Sequence, residues 1–172
     1  IKDPGVLFDY ANYLQSKRKY NKVSNIIFNL SKNPVKLGLS YKWSELRIYH
    51  ARRELRLGNM LKAYKISSNH LISNEFFVND DFKESKQGYV ELEWLSGFIA
   101  LNFLKKPEVA INHFSNILDL VTNKNFLSKN YYWYARSLEE LKRTNVAQDY
   151  YKKGSIYIST FSGQLSAEGS TI

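Results

Sequence analysis

Cysteine is absent from the 172-residue chain, and glycine (8) and proline (3) are scarce. Without cysteine there is no disulfide framework, no thiolate nucleophile, no zinc ribbon and no redox dithiol. Disulfides therefore give no reading of the compartment. A sandwich or barrel needs many turns, so the shortage of glycine and proline favours helices. Long apolar runs are missing too. The longest candidate, Phe98-Ile99-Ala100-Leu101, is broken at once by Asn102, far short of the ~18 residues of a membrane-spanning helix. The chain opens Ile1-Lys2-Asp3-Pro4, without methionine. The expectation is a fragment, in which the lack of a signal peptide says nothing about the native product.

What is present points to a packed domain. Hydrophobic residues make up 44%, aromatics 15% and charged residues 24%. That composition excludes a disordered tail, a collagen-like rod and a low-complexity segment. A chain of this length buries roughly 70% of the surface its unfolded form exposes, so it needs no metal or disulfide staple. Lysine plus arginine is 25 against 16 acidic residues, a net charge of +9.

An internal period organises the chain. Ala11 is followed twelve positions later by Val23, Ala51 by Ala63 and Ala135 by Ala147, while Gly97 is followed thirteen later by Ala110. The second members lie 40, 47 and 37 residues apart, and each is continued at +4 and +7 by Ile27 and Leu30, Ser67 and His70, Phe114 and Ile117, and Tyr151 and Gly154. Small residues late in one helix and early in the next let two antiparallel helices touch closely. The +4 and +7 positions extend one face of the second helix. The expected fold is all-α: a superhelical solenoid of four tetratricopeptide-like hairpins, at about 3–31, 40–71, 88–121 and 126–157, with a tail helix near 160–168. The whole of 1–172 is read as one domain.

The expected helices run from Pro4, capped by Asp3, to about Lys17, and over Lys22–Leu30 before the break at Asn33-Pro34. A third runs from a Ser40 cap to Leu57, stopping at Gly58-Asn59, and a fourth covers Met60–Leu71. The rest cover Tyr89–Leu104, Pro107–Val121, Leu127–Lys142, Val146–Tyr157 and a short piece between Thr160 and Glu168. A long loop is expected in Ile72–Gln87, which carries Asn74, Asn79, Asp80 and Asp81.

Few residues suggest chemistry. His50, His70 and His113 lack a second histidine or carboxylate at metal-ligand spacing and read as packing or surface residues. Glu139-Glu140 point in different directions on a helix and form no acid–base pair by themselves. Asp80-Asp81 lack the glycine and glutamate of a calcium loop. No phosphate-cradling glycine loop and no Gly-x-Ser-x-Gly elbow occurs. Arg52, Arg53 and Arg56, Lys105-Lys106, Lys152-Lys153 and the run Tyr131-Tyr132-Trp133-Tyr134 after Lys129 combine charge with aromatics, as single-stranded nucleic-acid binders do. Lysines late in a helix also complement its dipole, and aromatics beside Ala135 suit a hairpin core. Nucleic acid is therefore not expected as a partner.

The C-terminal third resembles the end of the helical superhelix of soluble lytic murein transglycosylases. The residues that carry the likeness are Tyr132-Trp133-Tyr134-Ala135-Arg136-Ser137-Leu138-Glu139, then Ala147, Tyr151 and Thr160-Phe161-Ser162-Gly163-Gln164-Leu165-Ser166-Ala167-Glu168. The family carries tyrosine where Ser162 stands and alanine where Ser166 stands. Trp94-Leu95-Ser96-Gly97-Phe98-Ile99-Ala100-Leu101 with Ala110 and His113-Phe114, and Ala51-Arg52, Gly58, Ala63-Tyr64 and His70, are similar to two further family stretches. The resemblance implies a periplasmic, two-part enzyme. A helical superhelix would precede a lysozyme-like domain whose glutamate cleaves the MurNAc–GlcNAc linkage, leaving a 1,6-anhydro sugar. The family's catalytic pattern, Glu-Ser, then Gly-Leu-Met-Gln, then Ala-Tyr-Asn, is not found. Glu84-Ser85 has no Gly-Leu-Met-Gln after it, and Gly163-Gln164-Leu165 is not that motif. No residue of this chain is thus expected to be catalytic, and neither a cofactor nor a metal is expected. Trp133, Ala135, Arg136, Phe161, Gly163, Gln164 and Leu165 are expected to act in structure or domain contact. The implied partners are peptidoglycan glycan strands and the parent's own C-terminal catalytic domain. The positive charge suits the carboxylates of peptidoglycan stem peptides. The other reading is a free-standing tetratricopeptide-like adaptor that binds a protein or peptide on a concave face. An exposed Phe161 and Leu165 would favour the first.

Overall fold

The computed structural model describes residues 3–33, 37–74, 77 and 83–170. Among these the chain is all-helical, with nine α-helices, one 3-10 turn and no strand. The helices are α1 (Pro4–Ser16), α2 (Tyr20–Leu30), α3 (Ser44–Arg56), α4 (Met60–Ser68), α5 (Lys83–Asn102), α6 (Pro107–Ser115), α7 (Lys124–Glu140), α8 (Thr144–Ser155) and α9 (Phe161–Gly169). The chain forms two compact units, Ile1–Leu95 and Ser96–Ile172, whose boundary falls inside α5.

Recurring turns explain the sequence period. Three-residue connections join α1 to α2, α3 to α4 and α7 to α8, and each puts its middle residue in the left-handed region: Arg18 (φ 55°), Gly58 (φ 81°) and Lys142 (φ 59°). In each the following N–H donates five residues back, Lys19 to Leu14, Asn59 to Glu54 and Arg143 to Leu138, at 2.8–2.9 Å. This is the Schellman closure of a helix end. The buried residues Val23, Ala63 and Ala147 lie five positions after the left-handed residue, and Ala11, Ala51 and Ala135 seven before it. Seven plus five gives the spacing of twelve. The α5–α6 turn is one residue longer, with Lys105 (φ 55°) left-handed. Gly97 lies eight before it and Ala110 five after, which gives thirteen.

In the first unit α3 packs on α4, and α2 packs on α1, α3 and α4. The Asp3 carboxylate caps α1 by accepting from the Val6 N–H at 2.9 Å, with Pro4 in the first turn. Trp43 is fully buried, donates its indole N–H to the Leu37 carbonyl (3.0 Å) and meets Phe8 edge-on. In the second unit α7 packs on α6, α8 and α9, and α8 on α9. Ala135, Leu138, Ala147 and Tyr151 form its core beside Ile111, Tyr132 and Tyr150. Gly97 lets α5 approach Phe114, since a Cβ there would stand 2.8 Å from the ring.

Several expected boundaries are corrected. Ser40 opens a 3-10 turn, Ser40–Trp43, and α3 itself starts at Ser44. α4 stops at Ser68, and Leu71 (φ 59°) is left-handed, which a continuing helix forbids. α5 begins at Lys83, so part of the expected Ile72–Gln87 loop is helical. The segment Lys83–Gln87 consists of residues that suit a helix, and it has no apolar stripe to announce one. Gly88 sits where α5 meets α3, with an added Cβ only 2.8 Å from Ser44 Cβ. α6 ends at Ser115 rather than Val121, and α7 starts early, at Lys124, because the Asn123 side chain accepts from the N–H groups of Asn125 and Phe126. The Pro34 break and Asn79, Asp80 and Asp81 lie outside the described residues.

Candidate functional site

Of the stretches singled out in the sequence, Tyr132–Glu139, Ala147, Tyr151 and Thr160–Glu168 lie in the second unit, on and beside α7, α8 and α9. Tyr151 is 1% exposed and donates its hydroxyl to Glu139 Oε2 at 2.6 Å. Arg136 Nη1 donates to the same oxygen at 2.9 Å. Burial and the adjacent Glu139 carboxylate push the Tyr151 hydroxyl far above its ordinary pKa, so it stays a proton donor. Arg136 thus steadies the carboxylate that ties α7 to α8. Trp133 meets Phe98 edge-on at 4.9 Å, and Ala135 is fully buried.

Thr160 organises the tail helix. Its hydroxyl accepts from the Gly163 N–H at 2.9 Å, capping α9, and donates to the Tyr157 carbonyl at 2.8 Å. Ser128 Oγ of α7 lies 2.8 Å from the Thr160 hydroxyl oxygen. Gly163 is buried, because a Cβ there would collide with the Tyr157 carbonyl. Ser166 faces Gly154 of α8, where a glycine Cβ would stand 2.9 Å from Ser166 Cβ. Ser162 is half-buried, and Ser166 keeps the small volume this contact demands. Gln164 is exposed and Leu165 half-buried. Phe161 (75% exposed), Ile156 (75%) and Ile158 (55%) are large apolar side chains left at the surface.

The first unit holds buried polar groups that the sequence did not announce. Glu54 is 1% exposed. Its carboxylate accepts from Ser24 Oγ (2.5 Å) and Asn59 Nδ2 (2.7 Å) and pairs with Lys62 Nζ (3.2 Å). Burial raises its pKa, but these donors and the lysine charge outweigh burial and hold the carboxyl below its ordinary range. Arg47, fully buried, donates to Ser31 Oγ and the Ile66 carbonyl, and burial lowers its pKa to about 10, so it remains charged. His50 Nε2 bonds Gln15 Oε1 at 2.9 Å, and burial with the Arg53 charge lowers its pKa to about 4. His70 Nδ1 accepts from the Ile72 N–H at 3.0 Å, so its Nε2–H donates to Glu93 Oε1 at 2.8 Å. That pair joins the end of α4 to α5. No group of three metal-ligating side chains occurs among the described residues.

A groove on the same unit runs along α3 and α5. One end is a cleft of about 510 Å³ with Phe8, Glu45, Ile48, Glu84 and Glu91 in its walls. It continues, sharing Glu45, Ile48 and Glu91, into a second hollow of about 410 Å³ walled by Tyr49, Arg52 and Arg56. Positions 45, 48, 49, 52 and 56 follow the i, i+3, i+4, i+7 face of one helix, and 84, 88 and 91 do the same on α5. That spacing was the available signal. The arginines stood out in sequence only as a cluster and Glu84 only as part of Glu84-Ser85, while Glu45 and Glu91 did not stand out. Arg53 points elsewhere, to Asn21 Oδ1 at 2.9 Å and over the Tyr20 ring.

Comparisons with protein-family models, with curated proteins and with solved structures found no match to the chain.

Proposed function

We propose that the chain is the non-catalytic superhelical region of a peptidoglycan lytic transglycosylase, working in the periplasm. In this reading it is a solenoid of tetratricopeptide-like hairpins closed by α9. It positions glycan strands and packs against a lysozyme-like catalytic domain. The observation that carries the proposal is the exposed Phe161, with Ile156 and Ile158 also exposed shortly before it in the chain; Leu165, expected to be exposed with Phe161, is half-buried. Phe161 lies beside the Thr160–Gly163 cap, within the stretch where the family likeness is densest. Large apolar side chains are left at a surface when another surface covers them. Ala135 and Gly163 are buried, Arg136 pairs with Glu139, and Phe161 and Gln164 stand at the surface. The charge of +9 gives glycan strands with carboxylate-bearing stem peptides an attractive field.

Sedimentation with purified peptidoglycan sacculi tests the glycan role. The chain is expected to co-sediment at low ionic strength and to be released as salt approaches ~1 M, where the screening length falls to about 3 Å. No co-sedimentation at any salt would overturn that role, and salt-independent binding would overturn its electrostatic part. Phe161→Ser is expected to leave the helical content unchanged and to weaken association with a soluble lytic transglycosylase catalytic domain in pull-down.

A further inference from the structure

The α3–α5 groove has a charge arrangement that the glycan reading does not use. Glu84 lies in the first cleft, Arg52 and Arg56 line the second hollow, and Glu45 and Glu91 stand on the wall the two share. Phe8, Ile48 and Tyr49 supply apolar wall. In a protein with 25 basic and 16 acidic residues, three glutamates around one cleft run against the overall charge. Glu45, Glu84, Arg52 and Arg56 hold no ion pair among the described residues, and Glu91 accepts only from Gln87 Nε2, at 3.1 Å. Arg52 and Arg56 sit four apart on α3, a spacing at which like charges repel. An anion between them would remove that repulsion. A cation among the glutamates would do the same at the other end. Lys42 stands at the acidic cleft as its one basic wall residue and leaves the local balance negative.

The two ends are separated by a readable distance. Seven residues from Glu45 to Arg52 and eleven to Arg56 span about 10 and 16 Å along a helix rising 1.5 Å per residue. An extended peptide covers that span in roughly three to five residues at about 3.3 Å each. A polyanion is repelled by the glutamates, and a neutral sugar leaves both charge groups unpaired. We infer that the groove binds a short extended peptide with its ammonium end among Glu45, Glu84 and Glu91 and its carboxylate end between Arg52 and Arg56. This holds whether the chain guides glycan or acts as an adaptor, so its failure leaves the sacculus result untouched.

The test is a titration of the 15N-labelled chain with the pentapeptide Lys-Ala-Ala-Ala-Asp, both termini free, followed by amide shifts. The expected result is saturable shifts along Glu45–Arg56 and Glu84–Glu91. Acetylating the N-terminus and replacing the lysine by alanine, or amidating the C-terminus and replacing the aspartate, should each weaken binding at least tenfold. The paired variants Glu45→Gln with Glu91→Gln, and Arg52→Gln with Arg56→Gln, should do the same, with helical content unchanged by circular dichroism. No shifts at millimolar peptide, shifts confined to other helices, or equal binding of the one-ended peptides would each overturn the proposal. The peptide controls need no variant, so the proposal stays testable if a variant fails to fold.

Discussion

Glu54 shows how a surface-type residue becomes a core residue. In sequence it follows two arginines and reads as a solvated charge. Besides the neighbouring Arg53, its partners Ser24, Asn59 and Lys62 come from α2, the α3–α4 turn and α4. No local pattern predicts that convergence. Removing one side of a buried charged network leaves its partners unpaired. Glu54→Ala is expected to cost about 3 kcal/mol, read as a lower midpoint in urea. His50 sets a pH dependence. Folded, it titrates near 4, and unfolded near 6.5. Above about pH 6.5 both forms are neutral and stability is unaffected. As pH falls from there the unfolded chain takes up a proton that the folded one refuses, so stability declines until about pH 4. The full excursion is about 3 kcal/mol. Urea midpoints measured between pH 7 and 4 should fall, and His50→Gln should flatten that slope. The depressed Glu54 carboxyl adds a further loss below its unfolded pKa of about 4.3.

At the scale of elements, the turns carry the clearest consequence. Among the four turns α1–α2, α3–α4, α5–α6 and α7–α8, glycine occupies the left-handed position at Gly58 alone. Arg18, Lys105 and Lys142 hold it elsewhere, against the preference of residues with a Cβ. Arg18→Gly and Lys142→Gly are each expected to raise stability, by up to about 1 kcal/mol, because relief of backbone strain exceeds the entropy that glycine adds to the unfolded chain. Gly58→Ala should lose about the same amount. Thermal melts of the three variants check the sign at each turn. Gly154→Val should undock α9 by driving into Ser166, costing about 2 kcal/mol, with chemical-shift changes concentrated in Phe161–Gly169. The period of small residues was legible because a hairpin turn of fixed length imposes it. The early start of α5 was not, since Lys83–Gln87 is polar all round and a helical segment of that kind has no hydrophobic rhythm. The start of α9 at Thr160 was legible, since its cap on Gly163 is local. Its further contact with Ser128, thirty-two residues away, was not.

For the molecule as a whole, the helical class followed from the poverty of glycine and proline and from the repeat. The candidate sites followed less well. The α9 residues could be named from family likeness, whereas the groove needed α3 and α5 brought side by side. The chain's two compact units part at Leu95 and Ser96, yet α5 runs unbroken from Lys83 to Asn102 across that point. Leu92 and Glu93 are buried on one side of the boundary, and Ser96, Gly97 and Ile99 on the other. Unwinding the middle of this helix disturbs packed residues of both units. In a native-state hydrogen-exchange experiment, the amides of Leu92–Ile99 should therefore be among the last to take up deuterium. The place where the chain divides spatially would be the slowest part of its exchange clock.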